Sequence, residues 1–141
     1  MLSNTHFSMA VHVLSALAYN KDAVVGSEDL ARTVGTNPSF LRGLIGQLRD
    51  AGLVETHVGK GGGAMLAKPA TRITLRDVYQ ATESQPALKT HSCDGRSPCP
   101  VAQGMDRMLT SVNQRLEKAL ESELKRMTVA DLVSSFIGKP A

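Results

Sequence analysis

The apolar positions fall into blocks with two different periods. Between Thr5 and Tyr19, the residues Phe7, Met9, Ala10, Val13, Leu14, Leu17 and Ala18 recur at three- and four-residue steps. That spacing predicts a helix with one broad buried face. Asn20, Lys21 and Asp22 predict a turn, and Val24 and Val25 a short extended piece. Ser27 stands before Glu28 and Asp29, which reads as a serine cap with acids in the first turn. The helix that follows holds Leu30, Ala31 and Val34 and stops at Gly35. Asn37 and Pro38 give a second start signal, a capping side chain followed by a proline where no backbone donor is needed. The third helix then carries Phe40, Leu41, Leu44, Ile45 and Leu48 and ends at Gly52. Gly43 and Gly46 lower its intrinsic helicity, so packing must hold it.

At Leu53 the helical spacing gives way to an extended segment. Leu53 to Val58 reads as a strand, Gly59 to Gly63 as a tight turn, and Ala64 to Ala67 as the returning strand. Two short helices joined by a glycine turn form a helix-turn-helix, and one followed at once by a hairpin forms a winged helix. Pro69 to Arg72 is a loop, after which Ile73, Thr74 and Leu75 lead into a short helix with Val78 and Tyr79 and Asp77 in its first turn. Ser84 to Pro100 loses periodicity and contains Pro86, Gly95, Pro98 and Pro100, the mark of a loop.

From about Val101 a single stripe appears: Met105, Met108, Leu109, Val112, Leu116, Ala119, Leu120, Leu124 and Met127. A helix of that length runs about 39 Å, more than so small a domain can cover. Its other face is charged, with Arg107, Arg115, Lys118 and Glu123 among others, so the stripe fits a helix that pairs with a partner helix. Met105, Leu109, Val112, Leu116, Leu120 and Leu124 are the expected dimerisation contacts. Thr128 caps a short terminal helix with Val129, Leu132, Val133 and Phe136, ending at Gly138. The expected architecture is mainly α with a small β-hairpin wing. It divides into a winged helix-turn-helix domain over 1–83, a cysteine-containing loop over 84–100 and a long dimerisation helix over 101–127. A C-terminal element over 128–141 then packs back on the N-terminal domain.

Composition narrows the function classes. The chain has 141 residues, 42% hydrophobic and 21% charged, enough to bury a core. It has no Trp and only 4% aromatics, which weighs against stacking on single-stranded bases. A net charge of +3 suits a polyanionic partner. No stretch of about 18 apolar residues predicts a membrane span, and no signal-peptide pattern opens the chain. A cytoplasmic protein is expected, with both cysteines reduced. The four histidines form no nucleophile–base–acid pattern, so an enzyme is not expected.

In a helix-turn-helix the second helix enters the major groove and presents its N-terminal residues to base edges. Here those residues are Asn37, Pro38 and Ser39, followed by Arg42, Gln47 and Arg49. Asn, Gln and Arg are the side chains suited to bidentate base recognition, so double-stranded DNA is the expected partner. Ser27, opening the first helix of the motif, joins this set, although simple solvation also explains exposed polar positions such as Gln47 and Arg49. In the wing, Gly61 and Gly62 let backbone N–H groups approach phosphates, and Lys60 adds charge at the tip. The turn is not a nucleotide-binding loop, because no Lys-Ser or Lys-Thr follows the glycines.

Several segments together resemble the Rrf2 family of winged-helix transcription regulators: Ser27-Glu28-Asp29-Leu30-Ala31, Phe40-Leu41, Leu48 through Val54, Gly59 through Gly63, and Ile73 through Val78. The resemblance covers nearly the whole chain. It implies a homodimer joined through the long helix, bound to a palindromic operator and usually repressing genes in response to iron, nitric oxide or sulfur status. Two departures stand out. Val58 occupies the place where relatives carry a wing arginine, so His57 or Lys60 must take over that contact. Relatives that hold an iron–sulfur cluster have three cysteines at five-residue intervals; Cys93 and Cys99 match, but the third position is Met105. Met108 and Ser8 stand where other members have a histidine or an acidic ligand. No cofactor is therefore expected, and a cluster is the disfavoured alternative.

Three readings of the cysteines remain: inert loop residues, a reversible thiol pair with His91 and Arg96 favouring the thiolate, or a metal site completed by His91 and Asp94. The effector stays unspecified. The main alternative to an operator-binding regulator is a metal- or iron–sulfur-binding sensor defined by Cys93 and Cys99.

Overall fold

The computed structural model describes residues 5–21, 23–93 and 95–137, so Asp22, Asp94 and Gly138 lie outside the described residues. Its first helix, α1 (His6–Tyr19), is the central post of the head. Ala10, Val13 and Leu14 on its inner face are fully buried. Around them pack α2 (Ser27–Val34), α3 (Pro38–Asp50) and α4 (Leu75–Thr82). Leu30, Leu41, Leu48, Leu53, Ile73 and Val78 close this core, each almost wholly removed from water. Burying a leucine contributes roughly 1.5–3 kcal/mol, so this cluster decides the stability of the head.

The start signals of the helices divide in an instructive way. Asn37 caps α3: its Oδ1 accepts from the Phe40 backbone N–H at 2.7 Å, with Pro38 in the first helical position. Thr74 caps α4 and Thr128 caps α6 (Val129–Leu132), each in a reciprocal box with an aspartate three residues on. Ser27 does not cap. Gly26 takes the extended N-cap conformation, and Ser27 is already the first helical residue with no side-chain cap bond. Glycine at that place suits the tight approach of the wing, whose residue 63 packs directly on Gly26.

The wing is an antiparallel pair, β1 (Val54–His57) and β2 (Gly63–Leu66), running in register from Val54 opposite Leu66 to His57 opposite Gly63. Val25, from the α1–α2 connection, adds a third rung: it exchanges two 2.9 Å backbone hydrogen bonds with Ala64. This contact explains one glycine. A Cβ on Gly63 would overlap the Val25 carbonyl and stand 2.9 Å from the Gly26 Cα. The wing is therefore clamped to the head at its base.

After a short 3-10 turn (Ala70–Arg72), α4, a loop and the long helix α5 (Pro100–Leu124) follow, then α6 and a π-helical turn (Val133–Ile137). The C-terminal part is tied to the head by backbone bonds on both sides of Thr74. Leu75 N–H donates to Met127 O and Val129 N–H to Ile73 O, both at 2.9 Å. Val129 and Val133 complete the main core.

The boundaries of α5 differ from those read from the sequence. It begins at Pro100 with Cys99 as N-cap, and it ends at Leu124, so Met127 lies beyond it. Proline at the first helical position is the reason for the early start, since its missing donor costs nothing there. The apolar stripe also divides. Leu124 is buried against Leu75 and Tyr79, with Leu120, Met127 and Leu132 packed on this second cluster. Met108, Val112 and Leu116 remain 45–47% exposed. The C-terminal end of α5 belongs to the head, and its N-terminal two-thirds stands as an arm.

Candidate nucleic-acid interface

The inner face of α3 is fixed by Leu41, Leu44, Ile45 and Leu48, all buried. The opposite face is then determined by helical geometry. Ser39, Arg42 and Arg49 are exposed there. Arg42 and Arg49 are seven residues apart and so lie on the same side of the helix. Gln47 lies about 140° around from Arg42 at ~100° per residue. Ser39 lies between them, about 60° from Arg42 and about 80° from both Gln47 and Arg49, so all four border the outward face. Two glycines, Gly43 and Gly46, fall in the middle of this outward face. An added Cβ would meet nothing within 4 Å at Gly43 and only the Arg49 guanidinium at Gly46. No packing within the chain requires either glycine.

Charge on this face is unevenly available. Arg49 Nε lies 3.6 Å from Asp50 Oδ1, and His57 Nε2 lies 3.5 Å from Glu55 Oε1. Arg42 and Lys60 have no ion-pair partner among the described residues. Asn37 has its amide oxygen committed to the cap, which leaves its NH2 group for an outside acceptor. Ser27 is part-buried as the first residue of α2.

At the wing tip Lys60 is exposed and Val58 is fully in solvent. Gly61 adopts φ +78°, a conformation open to glycine. Gly62 is needed for the turn itself: its N–H donates to Gly59 O at 2.9 Å, and a Cβ would overlap the His57 carbonyl. The tip thus offers an exposed ammonium on a tightly wound backbone.

The cysteine loop precedes α5. Cys93 Sγ is 3.3 Å from His91 Nε2. Cys99 is exposed at the α5 N-cap, where the backbone N–H groups of Ala102 and Val101 hold its thiol below the usual range. Reading the sequence alone missed this. The signal was a cysteine placed directly before a proline, the same pattern recognised at Asn37-Pro38. A cluster ligand set does not come together here. The described residues hold no group of three or more His, Cys, Asp or Glu placed to share a metal. Met105 offers only a thioether, and the Ser8 hydroxyl donates to Thr5 O at 3.0 Å. The donor chemistry on the page does not fit an iron–sulfur centre within one chain.

The comparisons agree with this geometry. The family model Rrf2, described as iron-dependent transcriptional regulator, matches residues 3–135. The chain is 32% identical over 124 residues to the HTH-type transcriptional regulator IscR of Yersinia enterocolitica, covering 87% of this chain and 73% of that protein. It is 28% identical over 131 residues to the HTH-type regulator YwnA of Bacillus subtilis, covering 93% and 96%. A crystal structure of a transcriptional regulator from Lactobacillus plantarum superposes with a TM-score of 0.80 at 26% identity, covering 94% of this chain and 90% of that one. A helix-turn-helix with an exposed cationic face, a clamped wing and a family match across nearly the whole length converge: this chain belongs to the Rrf2 family of DNA-binding transcription regulators and is not an enzyme.

Proposed function

We propose that the protein acts as a homodimer that represses transcription from a palindromic operator. The observation that carries this reading is the division of α5. One end is built into the head, while Met108, Val112 and Leu116 present an apolar strip that the described residues leave nearly half exposed. Pairing that strip with its symmetry mate would bury it. It would also set two copies of α3 on one side of the assembly, as half-sites about 34 Å apart require. In each half-site Ser39 and Arg42 read bases or adjacent phosphates, and Lys60 holds the wing on the backbone. Repression follows if the bound dimer blocks polymerase.

Electrophoretic mobility shifts on the sequence found by genome-wide occupancy test the reading. Arg42→Ala is expected to weaken binding by ~1–3 kcal/mol and relax discrimination at one base pair. Lys60→Ala is expected to weaken specific and non-specific binding alike and to lower the salt slope by about 0.9. Unchanged affinity in both variants would remove this face from the interface.

A second element concerns thiol chemistry, favoured by the lowered Cys99 pKa. With hydrogen peroxide as oxidant, the Cys99 thiolate attacks one oxygen and becomes a sulfenic acid while the other leaves as hydroxide and takes a proton from solvent to form water. The Cys93 thiol then displaces the remaining hydroxyl as a second water, closing a disulfide. Operator affinity of reduced and peroxide-treated protein, with Cys99→Ser as control, decides it; equal affinity in all three would leave the cysteines without a regulatory role.

A further inference from the structure

Behind the wing lies a cavity of about 640 Å³ that the DNA-binding reading does not use. Its walls come from separate parts of the chain. Leu17 and Ala18 come from the end of α1, Met65 and Leu66 from β2, and Ala130 and Val133 from α6 and the π-helical turn. Small-molecule sites have volumes of roughly 300–1,000 Å³ and apolar walls with a few polar groups, and this cavity has both properties. Its polar groups are chemically one-sided: two ammonium groups, Lys21 and Lys68, and two hydroxyls, Thr71 and Ser134. Among the described residues no carboxylate lines it, and neither lysine has an ion-pair partner there. A π-helical turn, rare and concentrated at functional sites, forms part of the wall.

We propose that this cavity binds a small amphipathic carboxylate, its apolar tail among Leu17, Leu66 and Val133 and its anionic head between Lys21 and Lys68. The tail satisfies the apolar walls, and the single negative charge answers the two cations. A neutral hydrocarbon would leave the ammonium groups unanswered, and a small polyanion would gain nothing from the walls.

The position gives such a ligand a route to DNA. Met65 and Leu66 belong to the strand that returns from the wing tip, and Ala64 beside them carries the clamp to Val25. Val133 and Ala130 belong to the segment that fixes the foot of α5 to the head. A ligand seated between them presses on the wing and on the arm's attachment together, and so changes the relation of both to α3. This regulatory consequence rests on the operator-binding reading; the binding itself does not.

Methyl-resolved NMR titration of the full chain without DNA, using decanoate, separates the two. Acetate supplies the charge without the tail, and 1-decanol the tail without the charge. Decanoate is expected to give saturable shifts centred on Leu17, Leu66 and Val133, and acetate none. The double variant Lys21→Gln, Lys68→Gln, altered only at the rim, should weaken decanoate about three- to tenfold and leave 1-decanol unchanged. Absent shifts, shifts centred on the exposed α5 strip, or equal decanoate affinity in the double variant would overturn the site. Operator affinity is then measured with and without saturating decanoate. A change supports the effector role, and no change overturns it. Loss of operator binding in decanoate-free protein would instead count against the operator-binding reading alone.

Discussion

The head and the arm carry the same apolar periodicity and use it in opposite ways. In α3, Leu41, Leu44, Ile45 and Leu48 point into a core closed by α1, α2 and α4 of the same chain. In α5, Met108, Val112 and Leu116 are spaced just as regularly, yet remain nearly half exposed. Periodicity therefore specifies that a face will be covered but says nothing about which molecule covers it. The two helices differ in length: α3 spans 13 residues and fits the head, whereas α5 spans 25 and runs beyond it.

The sharpest break of this contrast is a truncation in each region. Leu41→Ala is expected to cost about 2–5 kcal/mol of unfolding free energy, because a fully buried leucine leaves a cavity behind. Urea denaturation would read it directly, and a cost under 1 kcal/mol would deny the head its closed core. Leu116→Glu should do the reverse. Its side chain faces water in the single chain, so the head should lose less than about 0.5 kcal/mol. The association should fail, because an unpaired charge in an apolar seam is costly. Sedimentation showing a persistent dimer would place the interface elsewhere.

Where head and arm meet, Tyr79 gives a pH-dependent test. Burial, then its hydrogen bond to Glu117 and the charge of that carboxylate, push its phenol up from 10.0 to about 12, with Glu83 and Glu121 adding to the effect. The folded state thus favours the neutral phenol. That contribution is fully present below pH 10 and is lost as pH rises from 10 to about 12. Tyr79→Phe should lose roughly 0.5–1.5 kcal/mol near neutrality. It should also show a shallower fall in stability between pH 10 and 12 than the parent protein; identical slopes would detach Tyr79 from the joint.

The smallest effect sharpens the comparison within α3 itself. Gly46→Ala meets no obstruction in the chain beyond the mobile end of Arg49. It should stabilise the fold by about 0.5–1 kcal/mol through helix propensity. If the outward glycines allow α3 to lie close against DNA, the same variant should bind its operator more weakly. Stability and affinity would then move in opposite directions, and a parallel gain in both would assign Gly46 no part in the contact.

Much of this was legible in the sequence, and the failures have physical causes. The helices and the hairpin followed from period and punctuation, and Asn37, Thr74 and Thr128 behaved as their side chains suggest. Ser27 misled because a serine before two acids is a composition signal, whereas the cap is a conformation, taken here by Gly26 under the wing. Leu124 looked like the rest of its stripe because sequence spacing does not record that Leu75 and Tyr79 lie beside it. The cavity behind the wing was invisible, since its walls come from segments as distant in the chain as Leu17 and Ser134.

Glu117 has one more implication. One of its oxygens accepts from Tyr79 Oη at 2.9 Å, and the other accepts from the Ala87 N–H at 2.6 Å. A single carboxylate thus pins the arm, α4 and the beginning of the cysteine loop at one point. From there back to Pro100 the helix extends about 26 Å at ~1.5 Å per residue. Treated as a rigid lever, it moves its free end about 0.4 Å for each degree of tilt, so a tilt of ~8° equals the ~3.4 Å rise of one base pair. If two such chains pair and bind DNA as proposed, the tolerance of this joint would set how much variation in spacer length they accommodate.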